Sequence, residues 1–186
     1  MVELPVGKPR ALLAVLIINS GAVVSVDTLV DELWGDQPPP TAAKNVQGYV
    51  ARLRRALGDS VLVTRSPGYT LQLEDGRIDA AGFQELVEEA RHEEPAAAAD
   101  RLREALALWR GPPLADFTYE PFAQDEIRRL EDLRLTALED RIEADLALGR
   151  HEDVVAELES LVRAHPLRER LQGELLVALY RCGRQA

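Results

Sequence analysis

Residues 41–58 read TAAKNVQGYVARLRRALG and hold Lys44, Arg52, Arg54 and Arg55 without a single acid. The complete chain carries 22 Lys and Arg against 32 Asp and Glu. A purely basic segment in an acidic protein calls for a chemical reason. On a helical wheel Val46, Val50, Leu53 and Leu57 form one stripe, flanked by Tyr49 and Ala56. Lys44, Gly48, Ala51 and Arg55 lie opposite, with Gln47 and Arg54 to one side and Arg52 to the other. The outward face is cationic at both ends and small in the middle. That arrangement lets a backbone approach a surface closely while positive charges flank it, which is what a helix needs in a DNA major groove. Glycine inside a helix costs about 1 kcal/mol relative to alanine, so Gly48 is an expense that close approach explains. Lys44 sits in the first turn, where the helix dipole disfavours a cation but free N–H groups and a lysine together hold a phosphate.

The competing reading is a solvated basic face on an ordinary surface helix. The surrounding elements weigh against it. Upstream, residues 9–20 predict a buried apolar helix closed by Gly21 as a C-terminal cap, then a short strand at Val23 and Val24. Ser25 is the expected N-cap of a second helix, in which Val26, Leu29, Val30, Leu33 and Trp34 fall on one face. Gly35 ends that helix, the loop GDQPPP follows, and Thr41 is the expected N-cap of the basic helix. Downstream, VLVTR and YTLQL alternate around Ser66-Pro67-Gly68, predicting a hairpin with a type II turn and Arg65 beside that turn. Helix, helix, basic helix, hairpin describes a recognition helix with a basic wing.

Charge divides the chain. Residues 1–73 hold seven bases and six acids, while the remainder holds fifteen bases and twenty-six acids. Two domains with different partners are expected, 1–76 and 77–186, joined by the polar run EDGR. The second half predicts helices over about 79–92, 95–110, 120–148, 151–164 and 167–182. The long one offers i,i+4 pairs Asp125–Arg129, Arg128–Asp132 and Arg141–Asp145 on its exposed side, and Trp109 is expected to pack against its neighbours. Gly149-Arg150 recurs as Gly183-Arg184 after 34 residues, with Leu146 matching Tyr180 and Pro166 closing the first unit. That period belongs to tetratricopeptide helix pairs, and the second unit stops before its second helix, as in a piece of a longer protein.

Other chemistry finds little support. Cys182, the single cysteine, excludes an internal disulfide and lies in a helical pattern. His92, His151 and His165 fall in separate segments without ligand spacing, so no metal or cofactor is expected. ALLAVLII is too short to span a membrane, which takes about twenty apolar residues. A phosphate loop or catalytic pairing is missing too. These features predict a cytoplasmic protein without enzymatic activity.

KPRALLAVLIINSGAVVSVDTLVDELWGDQPPPTAAKNVQGYVARLRRALG followed by VTRSPGYTL resembles the winged helix-turn-helix of OmpR-type regulators. It more closely resembles the version found in the Streptomyces antibiotic regulatory proteins. WRGPPLADF, EPFAQDEIRRLEDLRLTALEDRIEADLALGRH and AHPLRERL resemble the bacterial transcriptional activation domain that follows it there. The resemblance implies a mainly α fold: a winged helix-turn-helix and then an all-α, tetratricopeptide-like repeat domain. It implies DNA contact by Lys44, Gln47, Gly48, Ala51, Arg52, Arg54 and Arg55 on the helix and by Arg65 on the wing. Residues 35–40 match the loop that faces RNA polymerase, and the helical domain is implied to support dimerisation on directly repeated half-sites. Seven residues precede Lys8, room for one strand, VELPV. The expected function is therefore transcriptional activation, of a secondary-metabolite cluster. The alternative is a protein-interaction adaptor whose winged helix does not touch DNA.

Overall fold

The computed structural model describes residues 5–73 and 78–184. The strand expected at VELPV falls mostly outside them, as does the linker EDGR. The chain divides into two compact units: Met1–Ile78 with Pro112–Arg129, and Asp79–Gly111 with Leu130–Ala186.

In the first unit, helix α1 (Lys8–Ile18) buries Leu12, Leu13, Val15 and Leu16. It stops two residues earlier than expected. Asn19 is the cap, its side-chain amide donating to Val15 O at 2.8 Å, and Gly21 only turns the chain afterwards. Strand β1 (Val24–Ser25) leads directly into α2 (Val26–Trp34). Ser25 caps α2 as its type predicts, Oγ accepting from Thr28 N at 3.0 Å. Helix α3 (Ala42–Leu57) follows, but Thr41 makes no side-chain bond to the helix backbone; its hydroxyl accepts from Asn45 Nδ2 at 3.3 Å. Strands β2 (Leu62–Arg65) and β3 (Gly68–Leu71) complete an antiparallel sheet in the order β1-β3-β2. Leu12 and Leu16 of α1, Leu29 and Leu33 of α2, Val46, Val50 and Leu53 of α3 and Leu62 and Leu71 of the hairpin share one core. Phe117 and Phe122, from the stretch 112–129, pack against that core, and Arg10 pairs with Asp116 at 2.6 Å. The winged helix is thus completed by residues distant in sequence.

The hairpin differs from the type II expectation. Arg65 pairs with Gly68, so its two-residue loop is Ser66-Pro67, joined by a cis peptide bond. Gly68 is displaced from the turn into the central strand, where β1 crosses it. A Cβ at Gly68 would lie 1.8 Å from Val24 O and 2.7 Å from Ser25 Cα. Only glycine permits this approach of two backbones.

The second unit is built from helices. α4 (Asp79–Ala90) and α5 (Pro95–Ala107) form a hairpin around Phe83, Val87, Ala98 and Leu102. Trp109 meets Phe83 edge-on at 5.5 Å, with the Arg134 guanidinium 5.1 Å over its ring. α6 (Pro121–Ala147) is the long helix; α7 (His151–Ala164) and α8 (Glu169–Arg181) pack around Ile142, Leu146, Val154, Leu158 and Leu171. The 34-residue repeat extends to the backbone. Gly149 N donates to Leu146 O and Arg150 N to Asp145 O; Gly183 N and Arg184 N repeat this with Tyr180 O and Leu179 O. Both glycines have φ near +75°, at 81° and 70°, so each helix closes with the same left-handed cap. Ile142 and Leu146 are buried in the first repeat, whereas their counterparts Leu176 and Tyr180 are exposed.

The exposed pairs expected on α6 rearrange. Arg128 bonds Asp125 and Arg129 bonds Glu126, both one turn apart at i,i+3, while Asp132 meets Arg168 at 3.0 Å. Arg141–Asp145 forms, but in the interior. Asp145 is 3% exposed at its side chain and accepts from Arg103 at 2.5 Å, Arg150 at 2.9 Å and Arg141 at 3.0 Å. Burial alone would raise its pKa, but the hydrogen bonds from Arg103 and Arg150 and the charge of Arg141 hold it below the ordinary carboxylate value. Glu174 behaves oppositely. Burial, with Glu139 and Glu143 nearby, outweighs Arg170 and pushes its pKa up to about 7.

Two outcomes are expected. Gly68→Ala should destabilise the chain by about 1–3 kcal/mol or more, read by denaturant unfolding, because backbone atoms must move to admit the methyl. The two carboxylates act in separate pH windows. Asp145, with its lowered pKa, stabilises above about pH 4 and loses that contribution as pH falls through its folded value. Glu174 stabilises most below its unfolded pKa and loses that contribution as pH rises toward about 7. Glu174→Gln should therefore raise the melting temperature at pH 8 and change it little at pH 4.

Candidate nucleic-acid interface

Helix α3 buries Ala42, Val46, Val50 and Leu53 and turns Lys44, Gln47, Gly48, Ala51, Arg52 and Arg55 to solvent. Fully burying an aliphatic side chain contributes about 1.5–3 kcal/mol. Val46, Val50 and Leu53 together therefore outweigh the cost of Gly48, about 1 kcal/mol, and that of a first-turn lysine, about 0.3–1 kcal/mol. Anchored by one face, the helix tolerates an outward face that its own stability would not select. From Lys44 to Arg55 that face runs about 16 Å at 1.5 Å per residue. A Cβ on Gly48 would meet nothing within 4 Å, so the protein's own packing does not require glycine there.

The acids of α2, Asp27, Asp31 and Glu32, are also exposed but lie on a different helix. The seven bases of residues 1–73 fall into two groups. Lys8 bonds Leu33 O, closing α2, and lies 5.9 Å from the Trp34 ring centre. Arg10 pairs with Asp116. Arg54 is half-buried and turned to the hairpin, with Nε donating to Leu62 O at 2.8 Å and Nη2 to Thr64 Oγ1 at 2.7 Å. The remaining four are Lys44, Arg52, Arg55 and Arg65. Among the described residues none of them forms an ion pair. Arg55 bonds only Ala51 O, one turn back on its own helix, at 3.3 Å. Arg65 ends β2 beside the turn and is exposed. Within residues 5–73 the uncommitted positive charge thus lies on α3 and the wing.

Of the eight residues expected to meet DNA, the structure exposes seven and engages Arg54 with the hairpin. Sequence reasoning missed the structural duties of Lys8 and Arg54. The Leu62 carbonyl that holds Arg54 has no sequence signature, since backbone acceptors are identical at every position. Trp34, expected in the core, is half-buried and stacks on Tyr49 at 6.2 Å. Among the described residues no group of three His, Cys, Asp or Glu could hold a metal ion.

Residues 6–71 match the model of the transcriptional regulatory protein C-terminal family, and residues 78–186 match that of the bacterial transcriptional activator domain. The regulatory protein AfsR of Streptomyces coelicolor is 44% identical over 190 residues, covering 98% of this chain and 19% of AfsR. DnrI of Streptomyces peucetius is 40% identical, covering 95% of this chain and 71% of DnrI. The chain belongs to the Streptomyces antibiotic regulatory protein family. Its fold agrees with a solved structure, Mycobacterium tuberculosis EmbR in complex with a low-affinity phosphopeptide. The TM-score is 0.94 at 35% identity, over 98% of this chain and 51% of EmbR. The chain spans about a fifth of the length of the AfsR proteins it matches. As in other members of the family, the chain is mainly α, a winged helix-turn-helix and then a helical domain.

The free cations at the ends of α3 have a measurable counterpart in stability. The first turn contains no acid. Lys44→Glu should therefore leave the melting temperature unchanged or raise it, by an amount corresponding to about 0.3–1 kcal/mol at low salt. A clear fall in melting temperature would show that Lys44 is structural.

Proposed function

We propose that this chain is a sequence-specific DNA-binding transcriptional activator acting on a secondary-metabolite gene cluster in the bacterial cytoplasm. Residues 1–76 read the DNA and residues 77–186 carry the activation function. Lys44, Gln47, Gly48, Ala51, Arg52 and Arg55 face the major groove and Arg65 meets the phosphate backbone or the minor groove, with Arg54 on the same helix. The observation that carries this reading is the sorting of bases in residues 5–73: among these described residues, those without an internal duty all lie on α3 and the wing. Overall acidity does not oppose it, because salt limits the relevant field to about 8–10 Å. Residues 35–40 and the acidic helical domain are available to RNA polymerase, and two chains bind directly repeated half-sites as a dimer. The relatives, regulatory and transcriptional regulatory proteins by name, support the class of activity. Among the described residues no helix is long and apolar enough to cross a membrane.

An adaptor that binds only protein has no use for an open glycine between unpaired cations, and that face separates the two readings. Affinity for operator DNA should fall steeply with salt. The log–log slope should be about −3 to −4 per chain if four cations each neutralise a phosphate. Arg65→Ala should weaken all sequences alike and reduce the slope by about one. Gly48→Glu is the decisive variant. Glutamate is the better helix former by several tenths of a kcal/mol and meets open space, so the melting temperature should hold or rise. Operator binding should nonetheless vanish, because a bulky anion is forced against bases and phosphates. Retained binding would return α3 to the status of a solvated surface helix and favour the adaptor.

A further inference from the structure

We propose that Arg54 is a positioning residue, which holds the wing, and with it Arg65, in place against α3 and so shapes operator recognition without itself reading DNA. This rests on the DNA-binding reading of the same face. The hairpin ladder supplies the first argument. Gln72 N donates to Val61 O at 2.8 Å, and Val63 and Arg65 continue the same alternation opposite Thr70 and Gly68. In an antiparallel pair the intervening residues turn their backbone groups away from the partner strand. Leu62 and Thr64 therefore face the open edge, since β2 is the outer strand of the sheet. Leu62 is fully buried, so its carbonyl has no ready access to water and needs a donor from the protein. Arg54 Nε is that donor.

The second argument is the shape of the contact. Arg54 bonds two points on β2, the Leu62 carbonyl and the Thr64 hydroxyl, and Thr64 immediately precedes Arg65. A planar guanidinium holding two acceptors at once fixes distance and angle together, which a lysine ammonium at the end of a flexible stem does not. Arg52 and Arg55, by contrast, are exposed on the same helix and make no bond to the wing. One arginine of the basic stretch is thus committed to geometry while its neighbours remain available to DNA.

The test uses the full chain, with Arg54→Lys, which keeps the charge, and Thr64→Val, a near-isosteric change at an exposed site. Without DNA, hydrogen exchange at the Val63 and Arg65 amides should quicken on the order of tenfold in Arg54→Lys and by less in Thr64→Val, with α4–α8 unaffected. With operator DNA, Arg54→Lys should weaken binding several-fold, and the same change in an Arg65→Ala background should cost less than about twofold, since its effect passes through Arg65. Unchanged exchange would overturn the proposal. So would equal, additive losses in the two backgrounds, which would make Arg54 a direct DNA contact. Should the unaltered chain bind no operator, the DNA reading itself would fall, and the exchange rates would still decide whether Arg54 holds the wing.

Discussion

The burial of Val46, Val50 and Leu53 is the contact on which the rest of the first unit depends. These side chains fix α3 by one face against α1, α2 and the hairpin, and leave the composition of its outward face free of any stability requirement. A helix anchored in this way accepts a glycine in its middle and a lysine in its first turn. An isolated helix of 16 residues would be marginal in water with either. Function is therefore written on the face that folding does not use.

Charge follows a parallel rule. In the second unit, arginines and carboxylates are drawn into shared contacts: Asp145 with three arginines, and Arg170 with Asp140, Glu143 and Glu174. Where such groups are buried, as Asp145 and Glu174 are, desolvation costs several kcal/mol each unless partners compensate, which ties the helices to one mutual arrangement. In the first unit the cations of α3 and the wing are left uncompensated. The same residue types thus serve specificity of packing in one unit and an open electric field in the other.

The stretch 112–129 shows why family boundaries and physical boundaries need not coincide. Family matching separates residues 6–71 from 78–186. Yet Phe117 and Phe122 lie on the core of the winged helix, and Asp116 pairs with Arg10. Apolar area is buried wherever the chain brings it, irrespective of the order in which residues were joined.

Sequence alone determined the features that periodicity and local chemistry control. Helices followed from apolar spacing, the Ser25 cap from its side-chain acceptor, the repeat from the recurrence of Gly-Arg after 34 residues, and the basic face of α3 from its wheel. The position of the hairpin was legible, and so was the identity of seven exposed residues on the candidate interface. Tertiary structure alone decided where long side chains and backbone acceptors meet. Arg54 and Arg55 are neighbours of the same type, and nothing local shows that one reaches the Leu62 carbonyl while the other faces solvent. Gly68 read as a turn residue because Pro-Gly favours one; its real constraint is a strand 43 residues earlier, Val24 and Ser25, crossing within van der Waals distance. Arg141–Asp145 read as a surface pair because i,i+4 spacing sets which residues meet but not whether water reaches them. Local propensity acts over a few residues, whereas burial and close approach depend on segments that only folding brings together.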